Sequence, residues 1–140
     1  MTAPLTQVLV LTDHVEPPEH LLEAIRARAA EGPIAVHVLL PNPARAESPL
    51  VHLDHHAAAE QARAALEQAI PAYSGAAGAP ITATVSIRHD AYEAVEEVTF
   101  HEPIDELIVC VDDHALSRRL HHDLPHRLKA LHRPLTAVTP

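Results

Sequence analysis

The chain alternates short apolar runs with longer stretches of helical spacing, and this alternation restricts its possible folds more than any other feature. The first run, Gln7 to Thr12, places Val8, Leu9, Val10 and Leu11 in succession, as a strand buried on both faces requires. A helix is predicted next. Pro17 and Pro18 sit where a first turn tolerates them, and Leu21, Leu22, Ile25 and Ala29 recur at three-to-four spacing up to Gly32 and Pro33. Ile34 to Leu40 is a second apolar run, and Pro41 to Leu50, with three prolines, reads as an irregular loop. A longer helix is predicted from Leu53 or Asp54, with Ala58, Ala62, Ala65, Leu66, Ala69 and Ile70 on one face, fading between Tyr73 and Gly78. Ile81, Ala83, Val85 and Ile87 alternate as a third strand, and Asp90 is placed to cap a helix carrying Tyr92, Val95 and Val98. Leu107 to Val111 is the fourth strand. Leu116, Leu120, Leu124, Leu128 and Leu131 follow at helical spacing, restarting near Asp123 and Pro125, and Pro134 leads into a last strand, Leu135 to Val138.

Strands and helices in strict alternation imply an α/β fold, a doubly wound five-stranded parallel sheet with right-handed crossovers and helices on both faces. Residues 1–140 are expected to form one domain. In such sheets ligands bind beyond the carboxyl ends of the strands, at the switch point where strand order reverses. The segments to search are therefore Asp13 and His14, Pro41 to Arg45, Arg88 to Asp90, and Asp112 to Arg119.

Composition removes several classes of function. A 140-residue chain can bury a core without disulfides or a structural metal, and its one cysteine, Cys110, cannot form an internal disulfide. Met1 to Leu11 shows neither the basic start nor the apolar length of a signal peptide, and no apolar run reaches the roughly 18 residues of a membrane span. The cytoplasm is the expected location, with no membrane partner. The only aromatic residues are Phe100, Tyr73 and Tyr92, too few for base-stacking platforms, and a formal charge of −9 disfavours nucleic acid. Three glycines leave little material for a glycine-rich phosphate loop.

Taken in order along the chain, these segments resemble the universal stress protein family. The likeness rests on the first strand ending in Asp13, on Val36, His37 and Val38 in the second strand, and on the long second helix. It continues through His89 to Val95 (HDAYEAV, like the family's GDPAEAI), Asp105 to Val109 (DELIV, like DLIV) and Pro134 to Val138 (PLTAV, like PVLVV). The resemblance implies strand order 3-2-1-4-5, a switch point between strands 1 and 4, and a homodimer formed through the last strand, residues 135–138. Nucleotide-binding members carry G-x2-G-x9-G-[S/T] after the fourth strand. Here that segment runs from Val111 to Leu120 with no glycine, and none follows Gly78. A Cβ obstructs close approach of backbone to phosphate, and Asp112 and Asp113 repel a triphosphate, so the phosphate clamp is expected to be lost. Ala115 to Leu124 (ALSRRLHHDL) is similar to a glycine-poor branch of the family. Asp13 and Val38 match positions that face adenosine in the family, which keeps ATP or AMP as an alternative ligand, although no cofactor is the primary expectation.

Three constellations carry chemical interest. Asp13, His14, Asp112 and His114 would converge if strands 1 and 4 are neighbours, and their nitrogen and oxygen donors suit zinc, manganese or iron, as a metal-dependent hydrolase needs. Against this stands the plain alternative of solvated residues capping turns. Ser117, Arg118 and Arg119 offer a hydroxyl and two guanidinium groups to an anion, in place of glycine amides. Residues 115–140 carry five bases and one acid, whereas the rest carries five bases and 18 acids, so this segment is the basic part of an acidic protein. The histidine groups at 52, 55 and 56 and at 121, 122 and 126 lack a HExxH arrangement and read as surface residues. Cys110, inside an apolar run, is expected to be an inert thiol. The expected function is that of a small binding or regulatory protein and not an enzyme, with the physiological ligand open.

Overall fold

A computed structural model of the protein describes residues 5–14, 16–40, 55–86, 91–110 and 134–138, with the backbone alone for 55–59 and 91–92. The elements are β1 (Thr6–Thr12), α1 (Glu19–Glu31), β2 (Ile34–Leu40), α2 (His55–Ala77), β3 (Ile81–Val85), α3 (Ala91–His101), β4 (Glu106–Cys110) and β5 (Leu135–Ala137). They form one five-stranded sheet in the order β3-β2-β1-β4-β5, with every pairing parallel. The expected α/β fold and strand order are therefore both present. Strand bounds differ from the sequence reading by a residue at several ends, and Ile87 and Val111 lie outside the described residues.

The apolar runs work because two separate cores need them. On one face Val8, Val10, Val36, Val38, Ile108 and Cys110 pack against Leu21 and Ile25 of α1 and Ala62, Leu66, Ala69 and Tyr73 of α2. On the other, Leu9, Leu11, Leu39, Leu107 and Val109 pack against Ala94 and Val95 of α3. Successive residues of a strand point to opposite faces, so a central strand covered on both sides must be apolar throughout. Each such side chain removed from water contributes about 1.5–3 kcal/mol. β3 stands at the sheet edge and keeps only its Ile81, Ala83 and Val85 face toward α2, which is why its sequence alternates.

Helix α2 departs from the expected stripe. Ala65 is exposed, and the buried line runs Ala62, Leu66, Ala69, Tyr73, Ala76 and Ala77. The helix continues through Pro71 and stops at Gly78, whose φ of +67° is the left-handed conformation that glycine adopts without a Cβ penalty.

Polar contacts fasten the amino-terminal end of the sheet. Gln7 N–H donates to Asp105 Oδ2 at 2.8 Å, and Asp105 N–H returns a bond to Gln7 O at 2.8 Å. Arg28, near the end of α1, grips Glu106 with Nε to Oε2 at 2.7 Å and a second terminal nitrogen to Oε1 at 2.9 Å. That bidentate bond, chiefly, raises the Arg28 pKa above its ordinary value. The Asp105 of the DELIV segment thus joins β1 to β4 at the end of the sheet away from the ligand-binding side.

Candidate ligand site at the sheet switch point

β1 lies between β2 and β4, and chain direction reverses its lateral progress there, so the carboxyl end of β1 is the switch point. Asp13 and His14 leave the strand at that place. The turn is fixed by Thr12, which is fully buried and whose hydroxyl accepts the His14 N–H at 3.1 Å. Asp13 is exposed and His14 is half-buried. His14 Nε2 lies 3.2 Å from Asp13 Oδ1, yet that nitrogen is shielded from water and has no hydrogen-bond partner among the described residues. The pair is close without being aligned for a hydrogen bond.

Beneath them lie a thiol and a phenol, both held neutral by burial. Thr12 is in register with Cys110, the last residue of β4, and both are inaccessible to water. Burial, and then the nearby Asp13 carboxylate, push the Cys110 thiol up to about 11. Tyr73, reaching in from α2, is fully buried, and its hydroxyl has no hydrogen-bond partner among the described residues. Burial and then Cys110 raise its pKa as well. A thiol held neutral is a poor nucleophile, which leaves Asp13 and His14 as the polar groups that reach solvent at this strand end.

Val38 is fully buried, in register with Val10 and Ala83, two residues inside the end of β2. It backs the site from the core and presents no side chain to solvent. Asp112, Asp113, His114, Ser117, Arg118 and Arg119 lie outside the described residues, as do the segments at 41–45 and 88–90 and the histidines at 121, 122 and 126. Of the four residues considered for a metal, the structure brings Asp13 and His14 together, and among the described residues no group of three or more His, Cys, Asp or Glu side chains could hold an ion. Tyr73 was not singled out by sequence. Its position on the line Ala62, Leu66, Ala69 would have marked it as buried, and a buried phenol needs a partner for its hydroxyl.

A universal stress protein from Archaeoglobus fulgidus superposes on this chain with a TM-score of 0.61, over 95% of this chain and 93% of that one, at 12% sequence identity. The fold is that of a universal stress protein. No protein-family model matches the chain, and a search of curated proteins finds no match. The universal stress fold therefore rests on the backbone, while the glycine-free Val111 to Leu120 segment is a property of the sequence. No helix among the described residues is long and apolar enough to cross a membrane.

Proposed function

We propose that the chain is a universal stress-type binding or regulatory protein of the cytoplasm, a homodimer that takes a small ligand at the switch point and does not hold ATP tightly. The observation that carries this reading is the placement of Asp13 and His14 at the open, carboxyl end of a universal stress fold whose opposite end is fastened by Asp105 and Arg28. Fold alone assigns no ligand, and it is these side chains that would contact one. The missing glycines support the negative half of the proposal, because a triphosphate needs backbone amides that a Cβ would obstruct.

Two alternative readings use the same place. An adenine nucleotide would be held by Asp13, Val38 and the side chains of Ser117, Arg118 and Arg119. A divalent metal would be held by Asp13, His14, Asp112 and His114 in a hydrolase. In the second, Asp13 Oδ1 and His14 Nε2, 3.2 Å apart, would supply two donors, and Asp112 and His114 would have to supply the rest.

Thermal denaturation with millimolar ATP, ADP or AMP, and separately with Zn²⁺ or Mn²⁺, distinguishes the three. A ligand at about 100 times its Kd adds about 2.7 kcal/mol of apparent stability. The expected result is no such gain from ATP, and Asp13→Ala should abolish any gain that another compound produces. A full gain from ATP would overturn the proposal, and one confined to Zn²⁺ or Mn²⁺ would replace it with the metal reading.

A further inference from the structure

On the opposite face of the sheet from the Tyr73 core, three polar side chains from three parts of the chain meet. His37 is embedded in the apolar run of β2 and is 8% exposed. Its Nδ1 lies 2.8 Å from Oε2 of Glu102, just past α3, and its Nε2 lies 2.8 Å from Oγ1 of Thr84 on β3. Strand register explains the meeting, since His37 pairs with Thr82 and Leu39 with Thr84, which sets the histidine and both threonines on one face. A carboxylate can only accept, so the neutral ring donates from Nδ1 to Glu102 and keeps its Nε2 lone pair for the Thr84 hydroxyl.

We propose that Thr84, His37 and Glu102 form an acyl-transfer site for small neutral esters, with Thr84 as nucleophile, His37 as general base and then acid, and Glu102 as positioning residue. The arrangement of hydroxyl, imidazole and carboxylate is the one by which an ordinary alcohol becomes a nucleophile on many unrelated folds. Access comes from the sheet edge. The apolar residues of α3 pack over Leu9, Leu11 and Leu39, while β3 is an edge strand on which Thr82 is exposed and Thr84 half-buried. The Glu102 side chain, bonded to His37 and 50% exposed, disfavours anionic acyl groups, and a small neutral ester is the simplest substrate that meets no such repulsion.

In the first step Thr84 Oγ1 bonds to the ester carbonyl carbon and its proton passes to His37 Nε2. The bond to the leaving alkoxide then breaks, and that oxygen takes the proton from His37. In the second step water attacks the acyl-threonine, its proton moves to His37 Nε2, and the proton returns to Thr84 as the carboxylic acid leaves.

The test uses p-nitrophenyl acetate with the full chain, following nitrophenol release and locating acetyl groups by intact-mass measurement and peptide mapping. One acetyl group on Thr84 is expected, formed at least tenfold more slowly in His37→Gln and absent in Thr84→Val, with Thr84→Ser restoring it. Glu102→Gln should lower the acylation rate at saturating ester while leaving the half-saturating ester concentration unchanged, because the carboxylate orients the base and does not bind substrate. A purely structural contact would leave the saturating rate in place. Acetylation elsewhere, or at the wild-type rate in Thr84→Val, overturns the proposal. Should His37→Gln fail to fold, the Val and Ser variants of Thr84 decide the matter, since both leave the ring and its carboxylate untouched.

Discussion

At the scale of single residues, the groups that matter are polar side chains placed where the apolar pattern should have excluded them. Cys110 shows what such placement does to chemistry. Its thiol ordinarily ionises near 9 and is pushed up to about 11 by burial and by Asp13. Above pH 9 the unfolded chain loses this proton while the folded chain keeps it, so the unfolded state binds fewer protons and stability falls as pH rises toward 11. Tyr73 acts in the same direction, beginning above its ordinary value of 10. Urea midpoints at pH 8, 9, 10 and 10.5 should therefore decline, and Cys110→Ala should flatten the part of the decline between 9 and 10. A midpoint independent of pH over that range would mean that the thiol is not shielded. Sequence alone located Cys110 correctly as a buried thiol, because it lies inside an apolar run. It could not show the partners of His37, because Thr84 and Glu102 lie 47 and 65 residues away and come together only through strand register and the path of α3.

At the scale of elements, α2 is where local preference and packing disagree. Pro71 has no N–H for the carbonyl of Glu67, and its ring crowds the preceding turn, yet the helix runs on to Ala77. Tyr73, Ala76 and Ala77 are all buried against the sheet, and this tertiary packing holds the turns that proline weakens. The side chain position at Pro71 faces solvent, so replacing it disturbs no core contact. Pro71→Ala should restore the missing bond and stabilise the protein by about 2 kcal/mol, from about 3 kcal/mol of helix preference less the gain in unfolded-state entropy. Equilibrium denaturation measures it, and a loss of stability would mean that the proline sets the path of the chain. The same disagreement explains the sequence reading. The strands and α1 were legible because their burial is continuous or strictly periodic, whereas the Tyr-Ser-Gly-Ala-Ala-Gly stretch carries loop-forming residues. Only burial against the sheet keeps it helical.

At the scale of the molecule, the strand order was legible through the family resemblance, and the two-faced sheet through the alternation of elements. Assembly is expected at the edge strand that ends the sheet among the described residues. β5 is three residues long, pairs with β4 on one side, and exposes Thr136 and Ala137. An edge strand presents unpaired backbone groups, and two copies related by a twofold axis would satisfy them with each other. In such a dimer Thr136 lies near its own symmetry mate, so Thr136→Lys sets two like charges across the axis. Wild-type protein should sediment as a dimer at micromolar concentration and Thr136→Lys as a monomer with unchanged circular dichroism. The charge division sharpens the expectation, because β5 belongs to the basic segment of residues 115–140. If isologous contact through β5 brings the basic segments of two copies together, added salt should tighten the dimer by screening their repulsion. Contact between the acidic body and the basic segment of another copy would instead weaken with salt. An alternative apolar contact is Phe100 on α3, which is 84% exposed. A dimer that survives Thr136→Lys but dissociates in Phe100→Asp would move the interface to α3 and overturn pairing through the last strand.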